Sequence, residues 1–357
     1  MSIEKSEGLS IIDKLLPVWI GIAMVIGFVF SYFEGITEFF ELVQIGSVSL
    51  PIAIGLLWMM YPVLAKVKYE ELGKITGMKR IFGVSLFLNW IIGPILMFSL
   101  AWIFLPTQTA FREGIILVGL ARCIAMVLIW NMLAGGDGEL CAVLVALNSI
   151  FQIFFYSIYA WFFMDFLSET IFGEGTSINI SIFDIAISVF IFLGIPMLGG
   201  IITRIIGIKK KGKEWYDSTF APKLGPYALI GLLFTIIVMF SMQGQNILDK
   251  GVELVAVITT LFIYFILMFL ISFFISWMLG FIYRNTVTLS FTAASNNFEL
   301  AIAVAIATFT IESDQALATV IGPLIEVPVL VALVYVSLWL KSRLFTAKGI
   351  SKFREST

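Results

Sequence analysis

The sequence predicts an all-α polytopic membrane protein, and three observations lead to that prediction. Hydrophobic residues make up 60% of the 357 residues and charged residues only 13%. The mean hydropathy is +1.03, so a polar surface cannot cover the apolar residues and a water-soluble globule is excluded. The third observation is a series of apolar runs, each long enough to cross about 30 Å of hydrocarbon.

Ten such runs occur in the chain. In order, they are Leu15 to Phe33, Leu42 to Ala65, Ile81 to Phe111, Gly114 to Gly136, Leu140 to Met164, Ile185 to Thr203, Leu224 to Leu248, Leu254 to Tyr283, Asn285 to Ile311 and Gln315 to Leu340. Residues 1–14 are polar and no cleavage pattern follows the first run, so we expect that run to stay attached. The connections are short, and we expect a single polytopic membrane domain over residues 1–357.

The basic residues predict the orientation of these runs in the membrane. The N-terminus, the connections after runs two, six and eight, and the C-terminal tail hold 19 of the 22 Lys and Arg residues. The opposite connections hold only Arg112 and Lys250. The positive-inside rule therefore predicts a plasma-membrane protein with both termini in the cytoplasm. The cluster Lys209–Lys211 is first a topology signal and second a candidate contact for anionic lipid.

Several classes of function are excluded by what the chain lacks. No Gly-x-x-x-x-Gly-Lys-Ser/Thr segment occurs, so the chain has no nucleotide-driven motor of its own. The two cysteines are too few for a disulfide framework, and there is no histidine. We expect a transporter rather than an enzyme, with no cofactor and no nucleic acid as partner. Its energy would come from an ion gradient or from a partner protein.

Three charged residues lie deep within apolar runs: Arg122, Glu299 and Glu326. A charge at that depth costs roughly 2.5 to 3.5 kcal/mol on insertion scales, so each should face a partner or a wet cavity. The two carboxylates are the obvious partners of Arg122. Together with the thiol of Cys123, these groups predict one site at the membrane midplane.

The run that carries Glu299 also contains Ser295, Asn296 and Asn297. Such side chains compete for backbone hydrogen bonds in a helix interior, so we expect a break there. In carriers, broken helices expose backbone groups that line a binding cavity. The run that carries Arg122 gives a weaker signal, because only Gly119 lowers its helix propensity near the charge.

Two halves of five runs each are a further prediction. Ile54–Leu57 recurs as Ile230–Leu233 at an offset of 176 positions, which also separates Cys123 from Glu299. An odd number of spans per half inverts the second half, so the runs of Cys123 and Glu299 become symmetry mates. We expect repeat one to cover about residues 11–168 and repeat two about 182–345.

Four segments together carry a family resemblance: Gly119–Asn131, Ala146–Gln152, Asn296–Ala303 and Gly322–Pro328. They resemble the arsenical resistance permeases, which export arsenite and belong to the bile/arsenite/riboflavin transporter superfamily. The resemblance covers essentially all ten runs. It implies two inverted five-helix repeats, a core and a panel domain, and helices four and nine broken where they cross.

The resemblance also implies proton-coupled efflux, with Cys123 as the ligand of the metalloid and Glu299 as the essential carboxylate. Further polar or aromatic residues fall where the family keeps them in or near the pathway. They are Asn89, Arg122, Trp130, Asn148, Asn297 and Glu326. We expect arsenite and protons as partners together with membrane lipids, antimonite as a further candidate, and transport that can proceed without an ATPase subunit. Proton coupling would involve Glu299 and Glu326.

The chemistry of arsenite fits these residues. Trivalent arsenic is soft and prefers thiolate, as soft metals do. A single thiol, assisted by amide and carboxylate hydrogen bonds, binds weakly enough for release. Each residue also has a structural interpretation: Cys123 and Trp130 as packing residues, and Arg122 and Glu326 as partners that hold helices together.

Two other functions remain open at this stage. A sodium-coupled carrier of organic anions, like the bile-acid relatives, would give Arg122 a substrate carboxylate. A passive channel or a sensor for small neutral solutes is the third class. Neither alternative has a use for a thiol at the midplane, so arsenite export is the preferred hypothesis.

Overall fold

The computed structural model describes residues 15–33, 35, 44–45, 48–176 and 181–355, and that part of the chain is almost entirely helical. The helices are α1 (Leu16–Phe30), α2 (Leu50–Ala65), α3 (Lys79–Phe104), α4 (Thr109–Leu120), α5 (Val127–Leu133), α6 (Gly138–Phe172), α7 (Ile182–Lys211), α8 (Ala221–Asp249), α9 (Gly251–Met278), α10 (Tyr283–Ala294), α11 (Phe298–Phe309), α12 (Asp314–Val320), α13 (Gly322–Leu344) and α14 (Lys352–Glu355). A 3-10 helix, Tyr69–Gly77, follows α2. Two short strands, β1 (Gln44–Ile45) and β2 (Val48–Ser49), pair antiparallel before α2.

The helix lengths confirm a multi-pass membrane protein. Six helical stretches of the described chain are long and apolar enough to cross a bilayer by themselves. They are Lys79–Phe104, Gly138–Phe172, Ile182–Lys211, Lys213–Gly244, Gly251–Met278 and Asp314–Leu344. α1, α2 and α11 are shorter apolar helices. Large apolar side chains such as Ile103, Phe154 and Phe183 are exposed, as expected of a surface that faces lipid.

Three of the long helical stretches widen into a π-helical turn just before a proline. In α3 the turn is Leu88–Ile92 and precedes Pro94, and in α7 it is Phe190–Gly194 and precedes Pro196. In Lys213–Gly244 the turn is Tyr216–Phe220 and precedes Pro222. Proline has no N–H to donate and its ring crowds the preceding turn, so the helix adjusts locally there. The π-helical turn of α3 carries Asn89.

The helices pack in two groups. In the first group, α8 packs against α1 and α2, and α7 packs against α2. Glycines allow the close approach: a Cβ on Gly55 would lie 2.5 Å from Oγ1 of Thr235, and one on Gly231 would lie 2.9 Å from the backbone nitrogen of Met59. In the second group, α4 packs against α3 and α12, and α9 against α10 and α13.

Contacts between connections define the two ends of the molecule. At one end, Arg204 pairs with Glu70, and Arg80 donates to the carbonyl of Leu279. At the other end, Arg112 pairs with Glu174, and Lys250 pairs with Asp314. The first end contains the basic connections that the sequence assigns to the cytoplasm, and the second contains the opposite connections.

Candidate transport site

The site is built around two interrupted helices that meet. The chain is non-helical between α4 and α5 and again between α10 and α11. The N–H of Cys123 donates to the carbonyl of Ser295 at 3.3 Å, and the N–H of Asn297 donates to the carbonyl of Ala121 at 3.0 Å. The two breaks thus satisfy each other's backbone groups, as a membrane interior requires.

Side chains secure the remaining backbone groups at the two breaks. The Asn296 amide donates from Nδ2 to the carbonyl of Val118 at 2.5 Å, and the Tyr156 hydroxyl donates to Leu117 at 2.9 Å. Both contacts reach carbonyls in the last turn of α4, and the carbonyl of Val118 also accepts from the N–H of Ala121. Asn297 caps the start of α11, where its Oδ1 accepts from the N–H of Leu300. The polar residues that weaken the helix therefore also stabilise the break.

Arg122 is fully buried at this crossing. The backbone N–H of Arg122 donates to Oε1 of Gln152 at 3.0 Å. Its Nη1 donates to the hydroxyl of Tyr264 at 3.1 Å and to the carbonyl of Ala293, in the last turn of α10, at 3.2 Å. A Cβ on Gly93 would lie 2.7 Å from this nitrogen, so only glycine leaves it enough room.

The prediction that Arg122 pairs with a carboxylate is therefore wrong. Among the ion pairs of the described residues, none includes Arg122. Carbonyls at a helix C-terminus carry partial negative charge and take the place of the carboxylate. Nε and Nη2 of the guanidinium are buried without a hydrogen-bond partner.

Cys123, Glu299 and Glu326 line one small cavity beside the breaks. Its walls also include Ile20, Ala125, Met126, Leu232, Asn296, Phe298 and Pro323. Cys123 and Glu326 are buried, whereas Glu299, in the first turn of α11, is half-buried. A thiol, two carboxyls and an amide thus line a cavity of about 10 Å³, which has room for about one water molecule, and apolar residues close the rest.

Glu326 differs from Glu299 in how it is held. Its Oε1 accepts from the Ser295 hydroxyl at 2.6 Å and from the Asn296 N–H at 3.1 Å. Both donors belong to the second break. Glu326 therefore ties α13 to the interrupted segment, which supports a structural role beside any part in transport.

A larger cavity of about 270 Å³ adjoins the first one, and Glu299, Ala125, Met126 and Leu232 belong to both. We call this larger cavity the vestibule. Its remaining walls are Met59, Met60, Val63, Lys66, Leu128, Ile129, Met132, Gly225, Ala228 and Leu229. It lies between the two helix groups and extends to Lys66, just after α2, at the end of the molecule that holds the basic connections.

The other predicted site residues do not line either cavity. Asn148 and Trp130 are buried on α6 and α5, and Asn89 is buried on α3. Each leaves one polar side-chain atom without a hydrogen-bond partner: Nδ2 of Asn148, Nε1 of Trp130 and Oδ1 of Asn89. Asn148 is linked to the crossing, because its carbonyl accepts from Gln152, which in turn accepts from Arg122.

Sequence reasoning missed four residues that the structure places at the site: Gln152, Tyr264, Met59 and Met60. A polar Gln in an apolar run is a signal that could have identified Gln152. Tyr264 and the two methionines carry no comparable signal, because such residues are common packing residues in membrane helices.

Comparison with known proteins agrees with this architecture. Residues 53–250 match the Sodium Bile acid symporter family. The Arsenical-resistance protein Acr3 of Corynebacterium glutamicum is 50% identical over 342 residues, which cover 96% of this chain and 92% of that protein. A protein of the same name from Alkaliphilus metalliredigens is 30% identical over 349 residues, covering 94% of each chain.

A third relative, described as an uncharacterized transporter, comes from Synechocystis and is 32% identical over 353 residues, covering 93% of this chain and 90% of that one. All three alignments span nearly the full length of both proteins. The chain therefore belongs to the Sodium Bile acid symporter family and, within it, to the arsenical-resistance permeases, and it is a membrane transporter rather than an enzyme.

Proposed function

We propose that this protein exports arsenite, As(OH)3, from the cytoplasm in exchange for protons, with Cys123 as the ligand of the metalloid. Two relatives named for arsenical resistance support the substrate. The observation that carries the proposal is the cavity where the Cys123 thiol, Glu299 and Glu326 meet beside two broken helices. Antimonite, the heavier analogue, is a second candidate substrate.

The binding step is a ligand exchange at arsenic. The sulfur of Cys123 forms a bond to arsenic, one As–OH bond breaks, and the hydroxyl leaves as water with the thiol proton. The remaining two As–OH groups are hydrogen-bond donors and acceptors that Glu299 and Asn296 are placed to meet. One thiolate bond is reversible, whereas a site of three thiolates would retain the metalloid.

Exchange with protons follows from competition at Glu299. We propose that Glu299 takes a proton from outside when the site is empty, and that arsenite from the cytoplasm displaces it. Only when the site is occupied does one helix group rock against the other, which moves access to the site from one side of the membrane to the opposite side. The position of Glu299 on the wall shared by the two cavities supports this role.

Two inverted repeats would supply the rocking element. α4 and α10 each have 12 residues and each ends at one of the paired breaks. The contact from Gly55 to Thr235 has its counterpart in the contact from Gly231 to Met59, and the offset of 176 positions converts one into the other. These features support repeats at about residues 11–168 and 182–345. The distribution of basic residues supports a plasma-membrane protein with both termini in the cytoplasm.

A sodium-coupled carrier of organic anions is the second candidate, favoured by the family's description. In such carriers, carbonyls at half-helix C-termini coordinate the sodium ion. Here the guanidinium of Arg122 already lies against one such carbonyl, that of Ala293. A fixed cation in that place favours transport without sodium. Replacing sodium by choline should leave arsenite export unchanged.

The test is arsenite uptake into everted membrane vesicles with an imposed pH gradient. Cys123→Ser should abolish uptake because oxygen replaces the soft ligand, whereas Cys141→Ser should keep it. Both cysteines are buried, so the second variant controls for packing. Export at the wild-type rate in Cys123→Ser, or equal losses in the two variants, would show the ligand assignment to be wrong.

A further inference from the structure

A groove lies on the outside of the first helix group, at the end with the basic connections. It measures about 450 Å³ and runs between the 3-10 helix after α2 and the C-terminal part of α7. One wall is apolar and consists of Ile201, Ile205 and Ile208. Ile205 is 60% exposed, as is usual for a side chain that faces acyl chains. Tyr69, Glu70, Arg204, Lys209 and Lys213 complete the lining.

The acids in and around the groove already have partners. Glu70 accepts from Nε of Arg204 at 2.9 Å, Asp217 lies 2.9 Å from Nη1 of the same residue, and Glu71 accepts from Lys213 at 2.7 Å. Burial alone would raise the pKa of Glu70, but the hydrogen bonds and charge of Arg204 outweigh it and hold the pKa below its usual value. Glu70 therefore stays ionised, and each of the three acids is paired with a basic side chain.

Positive charge remains in excess. Residues 66–80 and 204–223 together contain eleven Lys and Arg residues against four Asp and Glu residues. Lys209 lines the groove and is exposed, and among the described residues it forms no ion pair. The Tyr69 hydroxyl is shielded from solvent and has no hydrogen-bond partner in the described part of the chain. Lys209 and Tyr69 thus line one groove with the isoleucine wall, and the Tyr69 hydroxyl still has a hydrogen bond to give.

We propose that this groove binds an anionic phospholipid of the cytoplasmic leaflet. The headgroup phosphate lies at Lys209, Lys213 and the Tyr69 hydroxyl, and one acyl chain lies along Ile201 and Ile205. A lipid satisfies both halves of the groove, whereas a soluble anion would leave the isoleucine wall exposed. Because α7 packs against α2, which lines the vestibule, the lipid braces a wall of the transport pathway.

The experiment measures thermal unfolding of the full-length protein purified in detergent, titrated with phosphatidylglycerol, phosphatidylcholine or inorganic phosphate. Phosphatidylglycerol should raise the unfolding midpoint, and the other two should not. Lys209→Gln should raise the phosphatidylglycerol concentration for half effect about fivefold, the usual contribution of one lysine at an anionic surface. Adding Tyr69→Phe to Lys209→Gln should weaken phosphatidylglycerol binding further.

Lys348→Gln is the matched control, because Lys348 is an exposed lysine at the same end of the molecule and away from the groove. It should leave the titration unchanged. Three results would each overturn the proposal: equal stabilisation by phosphatidylcholine, full stabilisation by phosphate alone, or an unchanged phosphatidylglycerol titration in the Lys209→Gln, Tyr69→Phe double variant.

Discussion

At the scale of single residues, the two acids of the site have different surroundings. Glu326 is fully buried and accepts two hydrogen bonds from the second break through one oxygen. Glu299 is half-buried and lies where the small cavity meets the vestibule. A glutamine at position 326 keeps an oxygen that can accept both bonds, whereas a glutamine at position 299 removes the group that titrates.

We therefore predict opposite outcomes for the two amide substitutions. Glu299→Gln should fold normally but lose proton movement evoked by arsenite in proteoliposomes, because position 299 then has no carboxyl to release a proton. Glu326→Gln should retain most of it. Glu326→Leu should unfold more easily, by about 1 to 3 kcal/mol, since it leaves the Ser295 and Asn296 donors buried and unpaired.

A dye that reports the internal pH of the liposomes measures the first effect, and thermal unfolding measures the second. Persistence of the proton signal in Glu299→Gln would show that the proton moves by another group. Equal loss in both amide variants would assign both carboxyls to coupling.

The sequence predicted the members of the site better than their contacts. Cys123, Glu299 and Glu326 were predicted to meet, and the structure places them on one cavity. The predicted pairing of Arg122 with a carboxylate was wrong, because Arg122 donates to the carbonyl of Ala293 and the hydroxyl of Tyr264 instead. Backbone carbonyls become available as acceptors where a helix ends. The polar residues from Ser295 onward predicted that α10 ends there, but not that Arg122 reaches one of its last carbonyls.

At the scale of elements, the break between α10 and α11 was predictable and the break between α4 and α5 less so. The break between α10 and α11 is indicated by Ser295, Asn296 and Asn297, because their side chains form hydrogen bonds that replace those of a helix. The segment after α4 lacks such residues. It is held open by its partners, including Gln152 and Ser295, which lie far along the chain.

The recurring tetrapeptide is explained by packing. Gly231, on α8, faces the backbone of Met59 on α2, and a Cβ there would lie 2.9 to 3.1 Å from it. We predict that Gly231→Ala separates the two helices and lowers the free energy of unfolding by about 1 to 3 kcal/mol, as overpacked cores do. Thermal unfolding in detergent measures the loss.

Gly83→Ala, on α3, is the control for this prediction. A Cβ on Gly83 meets nothing within 4 Å, so alanine should be neutral or stabilise the helix by about 0.5 to 1 kcal/mol. If both variants unfold at the wild-type temperature, the contact between α2 and α8 tolerates a methyl group and the glycine has another purpose.

At the scale of the whole molecule, the vestibule lies between the two helix groups and connects Glu299 with Lys66, at the end with the basic connections. The sequence could not predict this state, because a carrier's inward and outward conformations share one sequence. Lys66 and Met132 line the vestibule at the end with the basic connections. The positive-inside rule predicts that this end faces the cytoplasm.

The last prediction follows from that orientation. Met132 is 49% exposed, so a cysteine at this position should be wet enough to ionise and react with a membrane-impermeant maleimide. Met132→Cys should be labelled in everted vesicles and spared in right-side-out vesicles. Ile103→Cys, at a 66% exposed position on the lipid-facing side of α3, should react in neither, because a thiol in hydrocarbon does not ionise.

Arsenite should slow labelling of Met132→Cys, because an occupied site favours the opposite conformation and closes the vestibule. The protection should vanish when Cys123→Ser is added, since the substrate then has no ligand. The native thiols are buried and should contribute little background. Labelling from the outer side alone would reverse the assigned orientation, and protection that survives Cys123→Ser would place the arsenite site elsewhere along the pathway.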